Sequence, residues 1–290
     1  MRRRSATTDP PSTMTGGGLE YALVSLLMPR SFVAEQYRAL RHIIEDTHRS
    51  SNLSIIAVSS PSVGDGKTTT TINLAGALAQ TREIRVLLVD GDLRRPSVTG
   101  RLGLKKSVTP GLVGAILDET LTLDDIVKPL PDFNLSVLPA GHGSELPYEA
   151  LKSPRVGKLF DEARSRYDYV LVDTPPLVPM ADCRIISKWV DGFVIVVTAH
   201  KTPRPLVEEA FKVIETDKIL GLVFNCDDRV NPGYYYGYSS YYHTDDATWV
   251  TRWRRHTDRV AAALRHGARR AQQLVTKRHR NGREPDEDES

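Results

Sequence analysis

The sequence predicts an α/β protein, a mostly parallel central sheet flanked by helices on both faces, with one further helix near the C-terminus. Three observations carry that expectation. Six short runs rich in Val, Ile and Leu recur along the chain, and strands buried on both faces of a parallel sheet read as such near-continuous apolar runs. Helical patterns stand between the runs, as crossover connections require. Two of the runs end in aspartate, at the carboxyl end where open α/β sheets bind ligands.

Taken in order, residues 1–18 are Arg, Ser, Thr, Pro and Gly and are expected to be disordered. Tyr21–Met28 is read as the start of a folded domain spanning 19–230. A helix is expected over Val33–Asp46, where Val33, Tyr37, Leu40 and Ile44 share one face. Strands are expected at Leu53–Ser59, Val86–Asp90, Leu135–Pro139, Tyr169–Asp173, Gly192–Thr198 and Gly221–Asn225. Helices are expected at Thr69–Gln80, Gly111–Leu117, Ser153–Ser165, Ala181–Trp189 and Pro205–Glu215. A tyrosine-rich segment (231–244) follows, then a basic amphipathic helix (245–280) and an acidic, disordered tail (281–290).

The chain has 290 residues and a net charge of +3, which by itself points to no partner. Its two cysteines, Cys183 and Cys226, stand far apart and outside any metal-binding spacing, so a reducing compartment is expected rather than a disulfide framework. No apolar run approaches the roughly 20 residues that span a bilayer. The expected location is the cytoplasm, with peripheral contact to the inner face of the plasma membrane.

The run Leu53–Ser59 leads into Ser60-Pro-Ser-Val-Gly-Asp-Gly-Lys-Thr-Thr and then a helix, the context of a phosphate-binding P-loop. Polyphosphate needs several N–H donors at close range. Gly64 and Gly66 let the backbone approach, and the helix presents its positive end to the anion. Gly64, Asp65, Gly66, Lys67, Thr68 and Thr69 are the candidate nucleotide contacts. Lys67 reaches for the β- and γ-phosphates, and the Thr68 hydroxyl suits Mg²⁺. Pro61 stands where the strict pattern has glycine, six residues before Lys67.

Asp90 and Asp92 follow one buried run and Asp173 ends another. Phosphoryl transfer from ATP needs a metal clamp and a group that takes or orients the nucleophile's proton. Asp173 is assigned to the Mg²⁺ shell, Asp90 to the proton, and Asp92 to the metal or the nucleophile. The bland alternative is a pair of strand-end acids that only cap the next turn.

Together these motifs resemble the bacterial tyrosine autokinases of capsule and exopolysaccharide synthesis, over about Pro29 to Tyr242. The Asp-x-Asp-x-Arg of Asp90 to Arg94 is similar to the second Walker motif of that family, and Tyr167 to Pro176 is similar to its Walker B segment. The resemblance implies an ATP- and Mg²⁺-dependent kinase, with Lys67, Asp90, Asp92 and Arg94 as catalytic residues and Asn225 beside the base. It implies a homo-oligomeric ring whose interface uses Glu35, Arg38 and Arg41, residues that share a helix face by their spacing. It implies phosphorylation in trans of Tyr234, Tyr235, Tyr236, Tyr238, Tyr241 and Tyr242, and a membrane-embedded polysaccharide co-polymerase as activator. Two features depart from the family: residues continue past the tyrosines, and Cys226 follows Asn225 where a basic residue is common.

Within 245–280, Trp249, Trp253, Val260, Leu264, Ala271 and Val275 form an apolar stripe amid arginines. It suits packing on the chain's own domain or an anionic membrane surface, and nucleic acid least. Two other functions compete with the kinase. One is a partitioning or positioning ATPase switch, although Ser62 stands where such proteins carry a lysine. The other is a nucleotide-binding scaffold without turnover.

Overall fold

The computed structural model describes residues 23–104, 110–130, 133–141 and 147–227. The expected disordered N-terminus, tyrosine segment, basic helix and acidic tail lie outside the described residues.

Seven strands form one sheet: β1 (Ile55–Ser59), β2 (Val86–Asp90), β3 (Lys128–Leu130), β4 (Leu135–Leu138), β5 (Tyr169–Asp173), β6 (Gly192–Thr198) and β7 (Ile219–Asn225), in the order β3-β4-β2-β5-β1-β6-β7. All neighbours are parallel except β3 on β4. Every residue of β1, β2, β5 and β6 is buried. Alternate residues of these strands enter two separate apolar clusters, one on each face, which is why their sequences show no polar alternation. Each fully buried Val, Leu or Ile contributes about 1.5–3 kcal/mol.

Four longer helices cover the sheet: α1 (Phe32–Ser51), α2 (Lys67–Leu78), α3 (Pro154–Arg166) and α4 (Arg204–Phe211). The first runs five residues beyond its expected end at Asp46. Its last turns are polar and carry no apolar period, yet Ser31 caps the start by accepting from Ala34 N, and Asn52 closes the end at φ 53°. A left-handed residue at that place is a common helix stop. Strand β1 starts at Ile55 rather than Leu53, and the Asp191 carboxylate accepts from the N–H groups of Ser54 and Ile55 there, each at 2.8 Å. The crossover helix expected over Ala181–Trp189 narrows to Asp182–Ile186, and α4 stops at Phe211 rather than Glu215. Strand β3 has no counterpart among the expected strands. It is three residues long, carries Pro129 and lies on the sheet edge, where a sheet tolerates proline.

The P-loop leaves β1, and β5 and β6 flank β1 while β2 lies beyond β5. The tips of β1, β2 and β5 therefore meet at one point. Asp90 and Asp173 are direct register partners across β2 and β5.

Candidate functional site

Between β1 and α2 the loop turns on Gly64 and Gly66, at φ 93° and 94°, values that glycine adopts without steric cost. At Gly66 an added Cβ would also lie 2.0 Å from Asn225 Nδ2, so the Asn225 side chain would have to move aside. At Gly64 the corresponding direction is open, with nothing within 4 Å. Helix α2 starts at Lys67, so its first N–H groups and its positive end face the loop.

Three carboxylates gather around Lys67 and Thr68. Lys67 Nζ donates to Asp92 Oδ2 at 2.9 Å and lies 3.7 Å from Asp173 Oδ1. Thr68 Oγ1 donates to Asp173 Oδ2 at 2.7 Å, and Thr71 Oγ1 reaches Asp173 Oδ1 at 3.3 Å. Asp90 Oδ2 accepts from Ser97 N and Val98 N, each at 3.0 Å. Asp90 Oδ1 is buried and has no hydrogen-bond partner. Burial, then the charge of Asp173, push the Asp90 carboxyl up to about 7, against the pull of the Val98 N–H. Burial also pushes Asp173 up, to about 6, with Lys67 and Thr68 opposing. Carboxyls shifted this way by burial and by each other are the usual mark of a site that works near neutral pH.

This donor set fits a nucleotide with a divalent cation. Among the described residues no group of three or more His, Cys, Asp or Glu could hold a metal on its own. Mg²⁺ beside a nucleotide is usually held by one or two carboxylates together with phosphate oxygens and water, a shell to which the carboxylates here could contribute. The unsatisfied Asp90 Oδ1 and the cluster of raised carboxyls both favour added positive charge.

Other candidate residues stand apart from this cluster. The Asp65 side chain is buried and turned away from the glycine turn; it accepts from Ser62 N, Ser62 Oγ, Thr198 Oγ1 and Thr202 Oγ1. It braces the loop against β6. Asn225 does the same from β7, with Nδ2 donating to the Asp65 carbonyl at 3.0 Å. Arg94 makes a two-pronged pair with buried Asp182, at 2.7 and 3.0 Å, and that hydrogen bond raises its pKa further. Thr69 Oγ1 accepts from Arg101 at 2.8 Å. On α1, Glu35 pairs with Arg38, while Arg41 donates to Glu45 at 2.8 Å and to the Ala77 carbonyl of α2 at 3.1 Å. Val33 and Ile43 are exposed on that helix. The tyrosines 234–242 lie outside the described residues.

Sequence reasoning did not find Ser97, whose hydroxyl reaches Thr68 Oγ1 at 3.2 Å, nor Thr71, Asp182, Thr198 and Thr202. For Thr71 a signal existed, being one helical turn past Lys67 on the same face. The others come from separate elements, Asp182 from the start of a helix and Thr198 from the end of β6, and carry no local pattern.

Comparison with known proteins finds relatives of this chain. Residues 53–207 match the family model described as an AAA domain. The tyrosine-protein kinase YwqD of Bacillus subtilis (strain 168) is 32% identical over 212 residues, covering 72% of this chain and 88% of that protein. The succinoglycan biosynthesis transport protein ExoP of Rhizobium meliloti (strain 1021) is 31% identical over 221 residues, 71% of this chain but 26% of that protein. The crystal structure of the chimerical protein CapA2B2 superimposes with a TM-score of 0.63 at 30% identity, covering 70% of this chain and 89% of that one.

Proposed function

The chain belongs to the family of bacterial tyrosine-protein kinases built on the AAA domain, and from that premise we propose that it moves the γ-phosphoryl group of ATP onto tyrosine hydroxyls, chiefly Tyr234, Tyr235, Tyr236, Tyr238, Tyr241 and Tyr242 of a neighbouring copy. The observation that carries this reading is the meeting of Lys67, Thr68, Asp92 and Asp173 at the tip of the P-loop, next to a buried Asp90 whose Oδ1 has no hydrogen-bond partner.

In the reaction the tyrosyl oxygen forms a bond to the γ-phosphorus while the bond to the β-bridging oxygen breaks and ADP departs. The backbone of Gly64, Gly66 and Thr68 holds phosphate oxygens, with Thr69 near them. Lys67 leaves its carboxylates to neutralise the β- and γ-phosphates. Thr68, Asp92 and Asp173 would hold Mg²⁺, which when bound offsets the charge that spreads over the phosphoryl oxygens. Asp90 accepts the tyrosyl proton, and its pKa of about 7 suits a base at neutral pH. Asp92 orients the attacking hydroxyl, and Arg94 with its partner Asp182 steadies the turn that carries Asp92. Asp65 and Asn225 keep the loop in shape.

The same reading places the protein in capsule or exopolysaccharide synthesis, as ExoP is a succinoglycan biosynthesis transport protein by name. Assembly uses α1, where Val33 and Ile43 are 45% and 58% exposed beside Glu35, Arg38 and Arg41. A membrane-embedded co-polymerase acts as activator. Among the described residues no helix is long and apolar enough to cross a membrane, and the proposed location is the cytoplasmic face of the plasma membrane, with 245–280 on anionic lipid.

The test is incubation of the purified chain with Mg-ATP followed by mass spectrometry. Phosphate on Tyr234–Tyr242 that disappears in Lys67→Met supports the reading. No phosphotyrosine, even with an activator fragment added, overturns it.

A further inference from the structure

The turn after β2 carries a run of positive charge that the roles above leave unused. From Leu93 to Lys106 the sequence holds Arg94, Arg95, Arg101, Lys105 and Lys106 and no acid. Arg94 is tied to Asp182. Arg95 and Arg101 are exposed, and neither pairs with a carboxylate through its side chain among the described residues. Both stand at the site itself. The backbone N–H of Arg95 donates to Asp92 Oδ1 at 3.0 Å, and a guanidinium nitrogen of Arg101 donates to Thr69 Oγ1 at 2.8 Å. The first contact anchors Arg95 beside the acid that orients the nucleophile; the second puts the Arg101 guanidinium at the start of α2. A guanidinium that gives one hydrogen bond to a hydroxyl keeps four N–H donors for a carboxylate.

The tyrosine segment carries the complementary charge. Asp227 and Asp228 precede it, Asp245 and Asp246 follow it, and between Arg229 and Thr244 there is no acid. We infer that Arg95 and Arg101 form a basic collar at the mouth of the site that recognises carboxylates flanking the target tyrosine, so that the substrate class is tyrosine in an acidic frame. The inference rests on the kinase reading above and adds its specificity. A patch of one sign beside a cleft also raises the rate of encounter with an oppositely charged segment.

The experiment compares two labelled peptides spanning 228–246, one native and one with Asp228, Asp245 and Asp246 changed to Asn. Binding to the full chain is followed by fluorescence anisotropy, and phosphorylation by mass spectrometry. The expected result is tighter binding and a lower KM for the native peptide, by about 10-fold for two exposed charge pairs. The advantage shrinks as salt rises, because exposed pairs are screened. In the Arg95→Gln/Arg101→Gln variant the two peptides become equal, with kcat and the KM for ATP unchanged.

Equal binding of both peptides to the native chain overturns the inference while leaving the kinase reading intact. A rise in the KM for ATP in the double variant, with the peptide preference kept, also overturns it and assigns the arginines to the nucleotide. Absence of phosphotyrosine from chain and peptides alike removes the kinase reading; equal anisotropy of the two peptides in that case removes the recognition as well.

Discussion

Strand β5 has an aspartate at each end, Asp168 just before it and Asp173 as its last residue, and the two are treated in opposite ways. At the N-terminal edge of the sheet, burial pushes Asp168 up, but the backbone N–H and side chain of Arg85 outweigh it and hold the carboxyl below its usual range. Asp191 on the same edge behaves alike. Burial is overcome by a two-pronged pair with Arg164 at 2.8 and 2.7 Å and by the N–H groups of Ile55 and Ser54. At the C-terminal edge, Asp173 and Asp90 are raised, and among three clustered acids Lys67 is the cation in contact. One edge uses carboxylates to hold strands together. The other keeps them under-compensated, and that unmet demand for positive charge is what a magnesium nucleotide can satisfy.

The sharpest way to break this contrast is Lys67→Met. Phosphorylation of the tyrosine cluster is expected to fall on the order of 10³-fold, the scale of losing a main electrostatic contact to the transferring group. Mass-spectrometric initial rates at saturating ATP measure it, and a rate within tenfold of the native one would contradict the assignment.

Next in size is Asp90→Asn. The amide oxygen can still accept from Ser97 N and Val98 N, but no proton can be taken up, so the rate is expected to drop about 10²-fold. Stability should move the other way. The folded pKa of Asp90 is about 7 against an ordinary value of 3.8. Its contribution is therefore fully present below pH 3.8 and is lost as pH rises through about 7. Thermal melts at pH 5 and pH 8 should show the variant gaining relative to the native chain at the higher pH. The native pH–rate profile should rise through a limb near 7. An unchanged pH dependence of stability would mean that Asp90 is not buried as described.

On the structural edge, Asp191→Ala is expected to lower stability by about 2–3 kcal/mol, from the lost charged hydrogen bonds to Arg164, Ser54 and Ile55. Phosphorylation well below the melting temperature should stay within twofold. Its linkage has the opposite sign: a lowered carboxyl stabilises above its unfolded pKa and loses that effect as pH falls through its folded one. Urea unfolding at pH 7 and pH 3 measures both. The smallest effect belongs to Asp168→Asn. Its pair with Arg85 is exposed, 38% and 60%, and such pairs contribute less than about 1 kcal/mol. A larger loss would place Asp168 with the buried group.

Most of this contrast could be read along the chain on the functional side and little of it on the structural side. Gly64 to Thr68 and the acids at 90, 92 and 173 are legible because each lies at the end of an apolar run, and a parallel sheet puts all such ends on one edge. The roles of Asp65 and Asn225 were not legible in the same way. Asp65 sits in the phosphate motif yet turns inward to Thr198 and Thr202, and Asn225, at the end of β7, reaches back 160 residues to the Asp65 carbonyl. The family resemblance implies a subunit interface at Arg41, and within the fold its guanidinium is engaged by Glu45 and the Ala77 carbonyl.

By itself the sequence determined six of the seven strands, the phosphate-binding turn and the set of acids, because apolar run length, glycine freedom and helix periodicity act between residues close together in the chain. Only the tertiary structure decided which carboxyls are compensated and which are not. That depends on strand order, which brings Arg164 to Asp191 and Arg94 to Asp182 while leaving Asp90 beside Asp173. The charge a buried group meets is set by neighbours in space, across separations that no local pattern encodes.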